Sequence, residues 1–136
     1  MTVPTTRPRD DRGAATTQLV LVVPLVLLLT LLVVQFALAW HARHIAQYAA
    51  QRALAAARVE DGTAGDGRAQ AWQSIDSLGP HILTRPAVTV DRNRTGTSVR
   101  VEGTVITVVP GVNLHVAGTA SGPTERLTTT PGGNRL

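Results

Sequence analysis

The chain of 136 residues has no cysteine and no lysine, and aromatic residues make up only 3% of it. The missing cysteines exclude disulfides, thiolate catalysis and cysteine-based zinc sites. All thirteen basic residues are therefore arginines, and they are scattered and interleaved with acids. Because so few aromatic rings leave almost no surface on which bases could stack, we expect no nucleic-acid partner.

Charge is also missing from a long N-terminal stretch, since no Asp, Glu, Lys or Arg occurs between Arg12 and Arg43. Within it, residues 19–40 are almost wholly apolar and would span roughly 33 Å as a helix, close to the ~30 Å hydrocarbon core of a bilayer. Arg12 and Trp40 flank the stretch, as residues at a membrane interface do. A soluble helix of this length would show a polar face, so the pattern predicts a membrane span.

A cleavable signal peptide is the main alternative, because Ala37-Leu38-Ala39 has the spacing of a signal-peptidase site. Against it, the apolar run is longer than a usual signal core, and no polar break follows Ala39. Arginines flank the run in equal number, so charge does not set the orientation. Long tails translocate largely regardless of charge, so we expect a single pass with the N-terminus inside and the C-terminal domain outside.

The helical pattern continues past the apolar run, because residues 41–59 contain no Gly or Pro and are rich in alanine. Ala42, Ala46 and Ala50 recur four residues apart, and such small residues let other segments pack closely. Two interpretations stay open: the alanine stripe packs under the chain's own C-terminal domain, or it forms an assembly surface for other helices.

The remaining pattern predicts an α+β fold. A turn rich in Gly and Asp at 61–67 precedes a short helix at 68–78. Alternation then predicts a three-stranded antiparallel sheet with strands at 87–91, 98–108 and 112–120. The expected organisation is a cytoplasmic leader (1–13), one long helix with a transmembrane first half (14–60), a linker (61–67), a small extracytoplasmic domain (68–126) and a flexible tail (127–136).

Motifs that carry catalytic chemistry are missing from the sequence, which contains no nucleotide-binding fingerprint, HExxH or nucleophile elbow. His41 and His44 could share one helical face, but no Cys or nearby carboxylate completes a metal site. Asp91 and Glu102 are isolated acids rather than an acid–base pair. We therefore expect a protein that is not an enzyme and has no cofactor and no metal.

Several segments together resemble one family. They are Arg12-Gly13-Ala14-Ala15-Thr16-Thr17-Gln18-Leu19, Val23-Pro24-Leu25, Gln35-Phe36, Trp40 and residues 49–57. The chain resembles TadE-like proteins, the minor pseudopilins of tight-adherence (Flp-type) pilus assembly systems. Residues 108–112 and 119–126 are similar to actinobacterial members.

The resemblance implies processing by a membrane prepilin peptidase, which would cut after Gly13 and leave Ala14 as the new N-terminus. It also implies that the protein lies in the cytoplasmic membrane. The implied partners are the lipid bilayer, other pilins or pseudopilins, and the inner-membrane assembly platform.

Two glutamines depart from the family pattern. Gln18 stands where the family usually carries Glu, and Gln35 stands where an acid often precedes Phe. The resemblance implies that the family's carboxylate neutralises the N-terminal amine of a neighbouring subunit in the fibre. An amide cannot neutralise that amine, so the departures favour a minor or accessory subunit over a bulk fibre subunit.

The resulting hypothesis is a non-enzymatic, membrane-anchored pseudopilin-like protein that takes part in assembly of a Tad/Flp-type pilus or a related secretion system. A membrane-tethered envelope binding module unrelated to pili is the alternative.

Overall fold

The computed structural model describes residues 11–124. The elements, in chain order, are helices α1 (Asp11–Arg58) and α2 (Ala64–Leu78), followed by strands β1 (Leu83–Arg92), β2 (Thr97–Val105) and β3 (His115–Gly122). This order confirms the predicted α+β fold. Most of the expected leader and the whole expected tail, 127–136, lie outside the described residues.

Helix α1 is continuous over 48 residues and contains Pro24. Two threonine hydroxyls in the apolar half bond to the helix's own carbonyls: Thr17 donates to Gly13 at 2.9 Å and Thr30 to Val26 at 2.8 Å. Such bonds satisfy a hydroxyl without any partner outside the helix. These two hydroxyls therefore add little polar surface to the apolar half of α1.

Helix α2 begins at Ala64 rather than at the predicted Arg68. Thr63 and Asp66 form a capping box: the Thr63 hydroxyl accepts from the Asp66 N–H, and the Asp66 carboxylate accepts from the Thr63 N–H. The sequence prediction missed this early start because the glycines in the segment are typical of a turn. Gly67 lies inside the helix, where a Cβ would come 2.8 Å from the Ala57 Cβ, so this glycine lets α2 pack directly on α1.

The three strands form an antiparallel meander in the order β1-β2-β3. Alternate residues of β2 point to the helices and are buried, from Thr97 through Val101 to Val105. The predicted turn after β1 is present, with the Asn93 side-chain oxygen accepting from the Thr95 and Gly96 N–H groups at 2.9 and 2.8 Å. The sheet therefore has one face on the helices and one exposed face.

Strand β2 ends at Val105, although the sequence predicted that it would run to residue 108, and β3 begins at His115 instead of residue 112. The intervening residues leave the ladder and form a loop directed toward α1. Its turn includes Gly111, whose φ of 85° lies in the left-handed region that favours glycine.

The core lies between α1 and the sheet, where the backbones approach closely. A Cβ added at Gly118 of β3 would come 2.3 Å from the carbonyl carbon of Ala46. Ala42, Ala46 and Ala50 are completely buried at this contact surface. The C-terminal domain, meaning α2 and the sheet (residues 64–124), is thus completed by the second half of α1.

Gly118→Ala tests this close approach. The added methyl group meets backbone rather than a movable side chain, so we expect the free energy of unfolding to fall by about 1–3 kcal/mol. The measurement is urea unfolding of the detergent-solubilised full chain, followed by circular dichroism. Gly122→Ala is the matched control in the same strand, since its nearest neighbours would lie at 3.6 Å. Equal effects of the two substitutions would contradict the packing described.

The capping box predicts an acid-dependent stability of α2. Hydrogen bonds from the Thr63 side chain and backbone hold the pKa of Asp66 below its ordinary value. The capping box therefore stabilises α2 fully at a pH above the pKa of Asp66 in the unfolded chain. This stabilisation is lost as the pH falls through the pKa of Asp66 in the folded chain.

Hydrogen exchange of the α2 amides, measured across that acidic range, should show this loss. Asp66→Asn is the control variant, because its amide oxygen still accepts the hydrogen bonds but does not titrate. An unchanged acid dependence in that variant would exclude Asp66 as the cause.

Candidate functional site

Gln35 of α1 is completely buried, although it follows the long exposed apolar stretch of the helix. Its side-chain oxygen accepts hydrogen bonds from the backbone N–H groups of Val108, at 2.7 Å, and Val109, at 3.3 Å. Its side-chain nitrogen donates to the Ile106 carbonyl at 3.2 Å. One amide thus holds the loop after β2 against the helix.

An amide suits this position because it donates and accepts at once. An ionised carboxylate could accept from the two N–H groups but could not donate to the Ile106 carbonyl. A buried backbone group that loses its partner costs roughly 1–3 kcal/mol. The loop therefore has a structural need for glutamine, and not only for a polar residue, at position 35.

This placement gives Gln35 a role within the chain that the sequence did not suggest, while its expected role in assembly stays a prediction. The sequence suggested an assembly residue within the membrane, where the family often has an acid. The structure instead uses the side chain for contacts within the chain, to residues 71 to 74 positions away. The sequence did not predict these contacts because partners so far apart in the chain leave no local signal.

The alanine stripe has a similar outcome. Ala42, Ala46 and Ala50 were open to two interpretations, and the structure places all three at zero exposure beneath the chain's own sheet. Their small size allows the approach of Gly118. The packing interpretation therefore describes these three residues in the single chain, and their expected role in assembly stays a prediction.

A second glutamine contact was missed by the sequence analysis. The Gln47 side chain donates to the Thr119 carbonyl at 2.9 Å and accepts from the Thr119 N–H at 3.2 Å. The Gln47 side chain therefore forms the same pair of backbone hydrogen bonds that a neighbouring strand would form with β3. Gln35 and Gln47 together fasten both the loop and the last strand to the same helix.

The residues expected at the processing site lie at the start of α1. Gly13 is exposed, and a Cβ added there would have no neighbour within 4 Å among residues 11–124. Gln18 is exposed as well, one turn further along. The side chains of Arg12 and Ala14 lie outside the described residues, so their expected roles stay predictions.

Trp40 remains on the surface with 67% of its area exposed, and its ring meets the His44 ring edge-on at 5.3 Å between centroids. Within residues 11–124, no group of three or more His, Asp or Glu side chains is placed to hold a metal ion. His41 and His44 are exposed on α1.

Over the described residues, one helix is long and apolar enough to cross a membrane. It covers Thr16–Arg58 and contains an 18-residue window with a mean hydropathy of 2.9, of which 6% is buried by the rest of the chain. A soluble core helix would bury most of such a window, and this one is bare. The exposed apolar surface is consistent with a membrane anchor.

Helix α1 thus begins near an exposed glycine, continues with exposed apolar surface and ends packed on the C-terminal domain. Part of this helix is similar to a known protein family. Residues 13–55 match the family described as TadE-like protein. The N-terminal part of the chain is therefore similar to TadE-like proteins. Neither a curated protein nor a solved structure matches the chain.

The TadE-like match begins at Gly13 and ends at residue 55, so it covers the exposed apolar half of α1 and nearly all of the half that packs on the sheet. It includes both Gln35 and Gln47. The strands lie outside it, and the similarity to actinobacterial members seen there stays a prediction.

Gln35→Ala should release the loop, because it leaves the Val108 and Val109 N–H groups and the Ile106 carbonyl without their partner. We expect a loss of about 2–4 kcal/mol in the free energy of unfolding, combining lost hydrogen bonds with a small cavity. Hydrogen exchange should rise selectively at residues 106–109. Gln51→Ala is the matched control, since Gln51 is exposed on the same helix. The contact would be refuted by loop protection that stays at the wild-type level in Gln35→Ala.

Proposed function

We propose that the protein is a non-enzymatic, membrane-anchored pseudopilin-like component of a Tad-type pilus or a related secretion system. The observation that carries this proposal is the TadE-like match, which starts at Gly13 and runs through the apolar helix. A pilin-like protein needs one helix that first holds the subunit in the membrane and then packs beside other subunits. The first half of α1 has the length and exposed apolar surface for both tasks.

Processing after Gly13 is the first step of the proposed role, with a prepilin peptidase as the partner. Glycine suits the position before the cut because it lets the backbone extend in a peptidase cleft. The open space around Gly13 supports access, since a Cβ there would meet nothing within 4 Å. The cut would leave Ala14 as the first residue of the mature chain.

Gln18 shapes the proposed role further. In lipid, a carboxylate at this depth would be costly unless an amine paired with it. Gln18 is uncharged and exposed, so the helix enters the bilayer without that cost but also without the charge that neutralises a neighbour's amine. This supports a minor, initiating or accessory subunit, with other pilins or pseudopilins and an inner-membrane platform as partners.

The proposed location is the cytoplasmic membrane, crossed once, with the C-terminal domain outside. Cleavage after Ala39 is disfavoured by the packing, because it would remove Gln35 with its three hydrogen bonds and also Leu38 and Ala39, which pack on the core. A secreted fragment beginning at Trp40 would lose the contact that holds the loop.

An independent binding module is less well supported. Residues 68–125 alone would lack the alanines of α1 that cover the sheet, such as Ala46, Ala49 and Ala53. The sheet's inner face, with Val99 and Val101, would then be open to water. Residues of α1 form about half of the core of the C-terminal domain. This shared core supports a role in which the helix and the domain act as one unit.

The mature N-terminus tests the proposal. Co-expression with an active prepilin peptidase should shorten the chain to an N-terminus at Ala14, as measured by mass spectrometry of the intact protein. Gly13→Val should block this cut while leaving the circular dichroism spectrum unchanged, because the added side chain meets no neighbour. An inactivated peptidase is the control.

Two results would contradict the proposal. An uncut chain beginning at Met1 in the presence of active peptidase would indicate a plain anchor. A start at Trp40 or further downstream would indicate a secreted protein.

A further inference from the structure

The loop between β2 and β3 carries no formal charge of its own, and Arg85 of β1 lies beside it. No Asp, Glu, Lys or Arg occurs from residue 103 to residue 124, which includes the whole loop between β2 and β3. The opposite end, where α1 stops and β1 turns into β2, carries Glu60, Asp61, Arg92 and Arg94. The uncharged loop is the one that Gln35 holds, so this loop lies toward the apolar half of α1.

The surface of this loop is mostly apolar as well as uncharged, with Thr107 as an exposed polar side chain. Ile106 is 41% exposed, Pro110 and Gly111 are exposed, and Val112 is half-buried. On α1, Phe36 is exposed next to Gln35. The loop thus continues the apolar surface of the helix instead of interrupting it.

The hydrogen bonds of Gln35 set the height of the loop along α1. Backbone without regular secondary structure is not tolerated where it faces lipid in the hydrocarbon region. The edge of the hydrocarbon must therefore lie close to Gln35, which leaves residues 16–34, roughly 28 Å of helix, to cross a core of about 30 Å.

This height differs from the one read from hydropathy alone, which placed the boundary at Trp40. With the edge near Gln35, Trp40 lies about 7–8 Å further out, within the headgroup layer that tryptophan favours. Because Gln35 holds the loop at this height, the loop lies in the same headgroup layer as Trp40.

We propose that residues 106–112, here called the interfacial loop, rest in the outer headgroup layer of the bilayer and form a second membrane contact of this chain. The partner is lipid, because the loop continues the surface of the span itself, carries no charge and is held at the height of the bilayer edge by Gln35. The inference rests on the membrane insertion in the proposed function. It adds that the domain is seated on the membrane in one orientation, with its charged end away.

The absence of cysteine makes a sharp test possible, since every introduced cysteine is unique. Ile106→Cys and Pro110→Cys place an environment-sensitive fluorophore on the interfacial loop. Arg94→Cys, in the exposed turn at the charged end, is the matched control, and Val26→Cys marks the span. Each labelled full chain is placed singly in nanodiscs of phosphatidylethanolamine and phosphatidylglycerol, so that no second copy can cover the loop.

Quenchers then report what each label touches. Lipids with a nitroxide near the headgroup should quench the two loop labels several times more strongly than the Arg94→Cys label, and aqueous iodide should show the reverse order. Lipids with a nitroxide deep in the acyl chain should quench the Val26→Cys label most.

The other outcomes are distinguishable. Loop labels that respond to iodide as fully as the Arg94→Cys label overturn the interfacial loop but leave the membrane anchor standing, provided that the Val26→Cys label is quenched from within the bilayer. A Val26→Cys label open to iodide overturns both proposals. Loop labels shielded from both quenchers mean that protein rather than lipid covers the loop, which also overturns the inference.

Discussion

The close approach of helix α1 to the sheet is the constraint on which the rest of the structure depends. Gly118 lies so near the Ala46 backbone that a single added carbon would not fit. The sheet's buried valines therefore face alanines along the second half of α1. Because each alanine buries little area, many of them are needed, and the contact must extend over several turns. The C-terminal domain and the outer half of the helix are consequently one folding unit.

Two glutamines fix where along the helix that unit sits. Packing between small, similar residues specifies position weakly, since a shift by one turn would bring alanine against the sheet again. Gln35 and Gln47 each bond to backbone groups of one particular segment, the loop after β2 and strand β3. A shifted helix would leave the buried groups bonded to Gln35 unpaired, at a cost of roughly 1–3 kcal/mol each, and would also break the more exposed contact of Gln47. Polar contacts thus set the register that apolar contacts leave open.

This coupling bears on the proposed role. A subunit that leaves the membrane to join an assembly must carry its outer domain along without changing the angle between domain and helix. The shared core and the two glutamine contacts provide that rigidity, and the apolar half of α1 is left bare for other contacts. The TadE-like match covers the same stretch, from the exposed start at Gly13 to the alanines under the sheet. The recognisable part of the chain is therefore the part that both anchors and organises it.

Local patterns in the sequence determined the long helix, the order of the strands and the turn at Asn93, because each rests on neighbours a few residues apart. They also pointed to the family. Only the tertiary structure decided which side chains face inward. It buried the alanine stripe under the chain's own sheet, bonded Gln35 to the loop after β2, and ended β2 at Val105. Each of these outcomes depends on a partner more than 50 residues away, and no local periodicity encodes it.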